Sequence, residues 1–252
     1  GGTMRRTLAL DVEAVADADM ARRVIGEAHL TDEEALSRVA PPRRPGEVWR
    51  FPKPLYWRVV AVGVGVVSAA GEVEEIKCVE GGSEKDLLQS FWRGFGALAR
   101  RGARIVTFNG RGFDLPVLVE RALFHRVPTR SYLGERDFLH RYGDRHLDVM
   151  DAFSNFRAHT VLSQQELATL LRIPAKSGIT GADVAGLWEK GDLEAIQRYC
   201  LTDVATLLLI LARLGPDAGW LRHEEGGRLE ASLRRRLKEA GAPVPDGITA
   251  DD

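Results

Sequence analysis

The chain has 252 residues, 35 Lys+Arg against 36 Asp+Glu for a formal net charge of −1, 44% hydrophobic and 28% charged residues, and two cysteines. That length carries one large domain or two small ones with an ample core, and the composition excludes collagen-like, disulfide-scaffold and wholly disordered classes. No run approaches the roughly 18 apolar residues of a membrane span, no signal-peptide pattern opens the chain, and Cys78 and Cys200 lack metal-ligand spacing, so the expectation is a cytoplasmic protein in a reducing compartment with no membrane partner.

Residues 5–12 form a short apolar run ending in acid, which predicts a buried strand. The poorly periodic stretch 14–56 follows. It holds a helix-like acidic segment opened by Thr31 with Glu34 three residues on, then the Pro/Arg-rich PPRRPG, and it is expected to be an insertion or mobile region. Segments 58–68 and 72–80 read as a hairpin, 83–100 as an amphipathic helix, 104–108 as a strand and 115–124 as the start of a helix. A basic, aromatic loop region (125–145) leads to a short strand around 146–149, and then to a mostly helical run reaching about 214. The tail from 215 to 252 holds one basic amphipathic helix, with Leu229, Leu233 and Leu237 on one face, and a frayed end. Strands alternating with helices predict a mixed α/β domain over residues 4–214.

Three Asp-x-Glu patterns occur, and only Asp11/Glu13 ends a hydrophobic strand. Residues i and i+2 of a strand share a face, so both carboxylates leave the sheet together and repel unless a cation lies between them. In TFNGRGFDLPVL (107–118) a strand exits through Asn109 and two glycines into a helix beginning near Asp114, which a helix cap alone would also explain. In the apolar helical run near the end, Tyr199 and Asp203 stand i, i+4 on one face. Asp203 needs a partner there; an arginine such as Arg198 or Arg213 is one alternative. Together the motifs supply four acids whose oxygens suit a pair of hard divalent ions, Mg²⁺ or Mn²⁺. Gly63-Val64-Gly65 lacks the third glycine of a dinucleotide fingerprint and lies within a strand, and no G-x-S-x-G occurs.

In this order the motifs resemble those of the DEDD superfamily of 3′–5′ exonucleases, tyrosine branch, and more narrowly the predicted exonucleases related to the proofreading domain of family-B DNA polymerases. FNGRGFDLPVL, HLDVMD and LATLLRIPAKSGITGADV running on to RYCLTDV carry the resemblance, with Ala14 standing where relatives carry a hydroxyl residue. It implies a ribonuclease H-like fold: a central mixed five-stranded β-sheet flanked by α-helices. It further implies that Asp11, Glu13 and Asp203 hold one metal ion, that Asp11 with water-mediated help from Asp114 holds a second, and that Tyr199 orients the attacking water. The implied substrate is the 3′ end of single-stranded nucleic acid, with DNA placed ahead of RNA, and the products are nucleoside 5′-monophosphates. Asn109, Phe113 and Lys176 are the candidate substrate contacts; Arg111, Arg130, Arg136 and the Arg234–Arg236 cluster are weaker ones. An exoribonuclease with the same site, or a catalytically idle nucleic-acid-binding module, remains open as an alternative. The four acids contribute about −4, which two divalent ions would cancel, so near-zero net charge does not oppose a nucleic-acid substrate.

Overall fold

The computed structural model describes residues 4–40, 52–174 and 180–239; Lys176 and the whole PPRRPG segment lie outside them. Among the described residues, β1 (Thr7–Ala16), β2 (Trp57–Val67), β3 (Val73–Cys78), β4 (Arg104–Thr107) and β5 (His146–Asp148) form one five-stranded sheet in the order β3-β2-β1-β4-β5. β1, β2 and β3 pair antiparallel, whereas β1, β4 and β5 run parallel, so the sheet is mixed as expected. The parallel strands reach the sheet edge together, and β1 runs on past β4, leaving its acidic end free of a β4 partner.

The helices are α1 (Ala18–Ile25), α2 (Asp32–Val39), α3 (Glu84–Arg100), α4 (Asp114–Phe124), α5 (Arg130–Leu133), α6 (Arg136–Leu139), α7 (Val149–Phe153), α8 (Gln164–Leu170), α9 (Val184–Glu189), α10 (Leu193–Asp217) and α11 (His223–Glu239). Leu8, Leu10 and Val12 of β1 point to one face and pack with Phe91, Phe95, Leu115 and Leu118 of α3 and α4. Ala9 points to the other, which α10 and α11 cover. Period-two alternation on a strand buried on both faces produces this two-sided apolar pattern.

α10 is long and apolar enough to cross a membrane by length and composition, yet 72% of its most apolar window is buried inside the protein. Cys200, Val204 and Leu208 form an i, i+4, i+8 ridge that lies along Gly63 and Gly65 of β2. A Cβ on Gly63 would come within 2.8 Å of Val204 and 2.9 Å of the Cys200 sulfur, so only glycine allows this approach. Leu207, Leu208, Ile210 and Leu211 are almost fully buried, each contributing on the order of 1.5–3 kcal/mol. α11 adds Leu229, Leu233 and Leu237 to the same core.

The described residues of the 14–56 stretch, 14–40 and 52–56, carry more regular structure than its weak periodicity implies. It contains the end of β1 and both α1 and α2, which pack Met20, Ala21, Leu30 and Ala35 against Tyr56. α2 is the helix that Thr31 and Glu34 announce, whereas α1 hides its pattern because it buries only Ala18, Met20 and Ala21. Asp17 caps α1 by accepting the Met20 N–H, and Thr31 closes a reciprocal capping box with Glu34.

Candidate active site

In the antiparallel register Asp11 faces Gly63 and Glu13 faces Ala61. Residues directly opposed on paired strands point to the same side, and Gly63 opens toward α10. Asp11 and Glu13 therefore aim at α10 rather than at α3 and α4. Immediately beyond Glu13 the register slips, and Val60 and Ala61 both join the cluster on the α10 side with Val15, Ile196 and Cys200. This bulge ends the regular ladder just where the carboxylates emerge.

Carboxylate oxygens of Asp11 and Glu13 and the Cys200 sulfur lie within 4.8 Å of one another. The Cys200 thiol sits beside Cys78 and donates to the Asp11 carbonyl at 3.6 Å. Burial pushes this thiol well up, and the neighbouring acids add to the effect, so it stays protonated and fills space. Asp114 and Asp203 stand outside that group among the described residues.

Phe113, not Asp114, occupies the N-cap of α4, and it makes no side-chain cap bond. Capping thus does not account for Asp114, the first helical residue, which is 5% exposed. Burial holds its carboxyl well above the usual range, the Asp11 and Asp148 charges push the same way, and the Val12 N–H and its own N–H oppose them. The α4 start therefore brings Asp114 to the acidic end of β1. Tyr199 is half-buried on α10; burial raises its phenol well above the ordinary value, with the charges of Glu13 and Asp11 next in effect. Asp203 follows one turn later on the same side, and its backbone carbonyl accepts the Gln164 side-chain amide at 2.8 Å. The arginines weighed as its partners are engaged elsewhere, Arg213 with Glu230 at 3.1 Å and Arg198 with Glu194 at 3.7 Å.

The donor set fits hard divalent cations. Carboxylates from the end of a strand and the start of a helix meet at one sheet edge, and one is buried against another's charge, an arrangement a cation relieves.

Asp148, at the end of β5, carries a task that sequence reasoning missed. Its carboxylate accepts the backbone N–H groups of Asn109 (3.0 Å) and Arg111 (2.9 Å), holding the turn into α4 with Asn109 at φ 62°. The one available signal was its place at the end of a strand parallel to β4. Asn109 accepts a bond from Arg157 through its side-chain oxygen, and Gly112 lies so close to both that a Cβ there would collide. Phe113 meets Trp57 edge to face at 5.5 Å and, with Asn109, lines an open cleft of about 890 Å³.

The weaker arginine candidates are largely engaged within the fold. Arg111 donates to the carbonyls of Phe138, His140 and His146. Arg234 and Arg235 pair with Glu230 and Glu72, and Arg236 bonds the Val73 carbonyl. The basic helix face of α11 is thus a docking surface for the β2–β3 hairpin.

Residues 50–244 match a family described as predicted 3′–5′ exonucleases related to the exonuclease domain of PolB. The match takes in Asp114, Tyr199 and Asp203 and begins after Asp11 and Glu13. Among solved structures, the chain is similar to the family B DNA polymerase from the hyperthermophilic archaeon Pyrobaculum calidifontis, with a TM-score of 0.52 and 21% identity over 94% of this chain. The likeness spans 29% of the polymerase chain and speaks to fold alone: the mixed sheet and its helices are ribonuclease H-like, as in a polymerase exonuclease domain. No curated protein matches the chain.

Proposed function

Because the chain belongs to the family of predicted 3′–5′ exonucleases related to the exonuclease domain of PolB, we propose that it releases nucleoside 5′-monophosphates from the 3′ ends of single-stranded DNA. One observation carries the assignment of the site: Asp114 is buried at the acidic end of β1, its carboxyl raised by burial and by Asp11. A divalent cation would relieve this crowding of charge.

Asp11, Glu13 and Asp203 are the residues to hold one divalent cation, Mg²⁺ or Mn²⁺, with Asp11 and Asp114 serving a second. When bound, such a pair supplies activation of a water and charge neutralisation at the leaving 3′ oxygen. The chain's own residues do the rest. Tyr199, its phenol pushed up and hence protonated at neutral pH, donates a hydrogen bond that orients the water and does not act as the base. This role is the one a tyrosine-branch enzyme would give it. Asn109 and Phe113 line the cleft beside Asp114 and take the terminal nucleotide, with the Phe113 ring as a stacking surface. Lys176 remains the candidate phosphate contact from sequence.

The test compares 5′-labelled single-stranded DNA and RNA with Mg²⁺, Mn²⁺ or EDTA, alongside Asp11→Ala. Stepwise shortening from the 3′ end, abolished by chelation and by the substitution, is the expected result. Activity that survives either one overturns the two-metal reading, and faster shortening of RNA overturns the DNA assignment.

A further inference from the structure

The cleft beside Asn109 and Phe113 does not end at the α4 turn. A second cavity of about 520 Å³ follows the outer side of β5, the last strand of the sheet, and the two share Arg111, Arg141 and Asp151 in their walls. They form one groove that begins at the turn into α4, beside Asn109 and Phe113, and runs along the sheet edge.

Charge in this groove runs against that of the whole chain. Five arginines (5, 104, 111, 141 and 157) line it against three aspartates, in a protein of net charge −1. Asp148 spends its carboxylate on backbone N–H groups, and Asp144 reaches Arg5 at 3.9 Å. Asp151 is shared between Arg141 and Arg157, each at 3.5 Å. Arg104 and Arg111 make no ion pair among the described residues and bond instead to Thr7 and to carbonyls. Aromatic surface is interleaved with this charge. Tyr142 is 69% exposed and stands edge to face on Phe156 at 4.5 Å, and the Arg141 guanidinium lies 5.3 Å from the Phe156 ring.

The saddle between the two cavities is strained. Asn155, Phe156 and Arg157 are consecutive non-glycine residues at φ 49°, 56° and 68°. Asparagine tolerates the left-handed region, but Phe156 and Arg157 do not, and such strain collects at ligand-binding sites. Here it turns Phe156 into the second cavity and Arg157, the next residue, into the first.

We infer that this groove carries the strand upstream of its 3′ end, with Arg141 and Arg157 against backbone phosphates and a base stacked on Tyr142. A basic groove that tracks the backbone, with aromatic platforms along it, is what sequence-tolerant single-strand binding requires. The inference rests on the exonuclease reading but concerns residues outside the carboxylate site.

Fluorescence anisotropy in EDTA, with a 5′-labelled thymidine 16-mer and a labelled dinucleotide, tests it. Wild-type protein binds the 16-mer far more tightly. Tyr142→Ala weakens 16-mer binding by roughly 5- to 150-fold, the range for loss of one base–aromatic stack, and Tyr142→Phe restores it. Arg141→Ala lowers the slope of log affinity against log salt by about 0.7, the value for one phosphate on a single strand. Wild-type 16-mer binding by either alanine variant overturns the groove. Hydrolysis of the p-nitrophenyl ester of thymidine 5′-monophosphate by wild-type protein with Mn²⁺ tests the catalytic reading separately. No release of p-nitrophenol overturns the exonuclease assignment; release together with unaltered 16-mer binding in the variants overturns the groove alone.

Discussion

Arg121 of α4 is 2% exposed and bonds three carboxylate oxygens: both of Glu84, at 2.7 and 2.6 Å, and one of Asp17, at 2.7 Å. It lies seven residues beyond Asp114 on the same helix, two turns on and on the same side. α4 is thus pinned to the end of β1 at two points, Arg121 and Asp114. Arg121→Met keeps an unbranched apolar stem and removes the charge. Removing one partner of a buried pair costs about 3–5 kcal/mol, because the other charges stay buried. Here Glu84 retains His125 at 2.8 Å and the Val59 N–H at 2.9 Å, and Asp17 retains the Met20 N–H at 3.0 Å with Arg58 at 3.8 Å. The low end applies, about 3 kcal/mol, which at roughly 2–4 °C per kcal/mol for a domain of this size lowers Tm by about 6–12 °C. Circular-dichroism melts and urea titrations at pH 7.5 measure it. Adding Asp17→Asn and Glu84→Gln to Arg121→Met should recover part of the loss. A single-variant loss below about 1 kcal/mol, or a triple variant no better than the single, refutes the argument from stranded charge.

Gly63→Ala drives a methyl into Val204 and Cys200 and should cost about 1–3 kcal/mol by overpacking, with nuclease activity falling because α10 carries Tyr199 and Asp203; an unchanged urea midpoint counts against this. Tyr199→Phe should slow turnover on single-stranded DNA while Mn²⁺ affinity by calorimetry stays at the wild-type value, and unchanged turnover removes its water-orienting role. Burial opposes ionisation of Glu84, but the bonds from Arg121 and His125 outweigh it, leaving its carboxyl below the ordinary 4.5. A depressed folded-state value means stability that is fully present above the unfolded value and lost as pH falls through the folded one. The stability gap between wild type and Glu84→Gln should therefore be widest near neutral pH and close as the solution is acidified below about 4.5. A gap that widens on acidification shows the sign to be wrong.

The sheet and the long helices were legible from periodicity. β1 through β4, α3, α4, α10 and α11 appear where alternation or helical spacing places them, because their apolar residues keep a period that survives in one dimension. Asp11 with Glu13, and Tyr199 with Asp203, were singled out for a related reason, since spacings of two on a strand and four on a helix specify a shared side, while Asp114 stood out only through the strand-to-helix turn that leads into it. Relations across elements were not legible. Gly63 reads as one small residue in a valine-rich strand until β2 pairs it with Asp11 and α10 descends on it. Nothing near Asp148 in sequence says that its carboxylate holds a turn 37 to 39 residues earlier. The left-handed run at Asn155–Arg157 has no glycine to announce it. The sequence by itself determined which residues share a face, since helix and strand periods are local properties of the backbone. Which faces meet, and hence which acid is buried against another's charge and where arginines line a groove, was decided by tertiary packing, where charge and burial act between residues far apart in the chain.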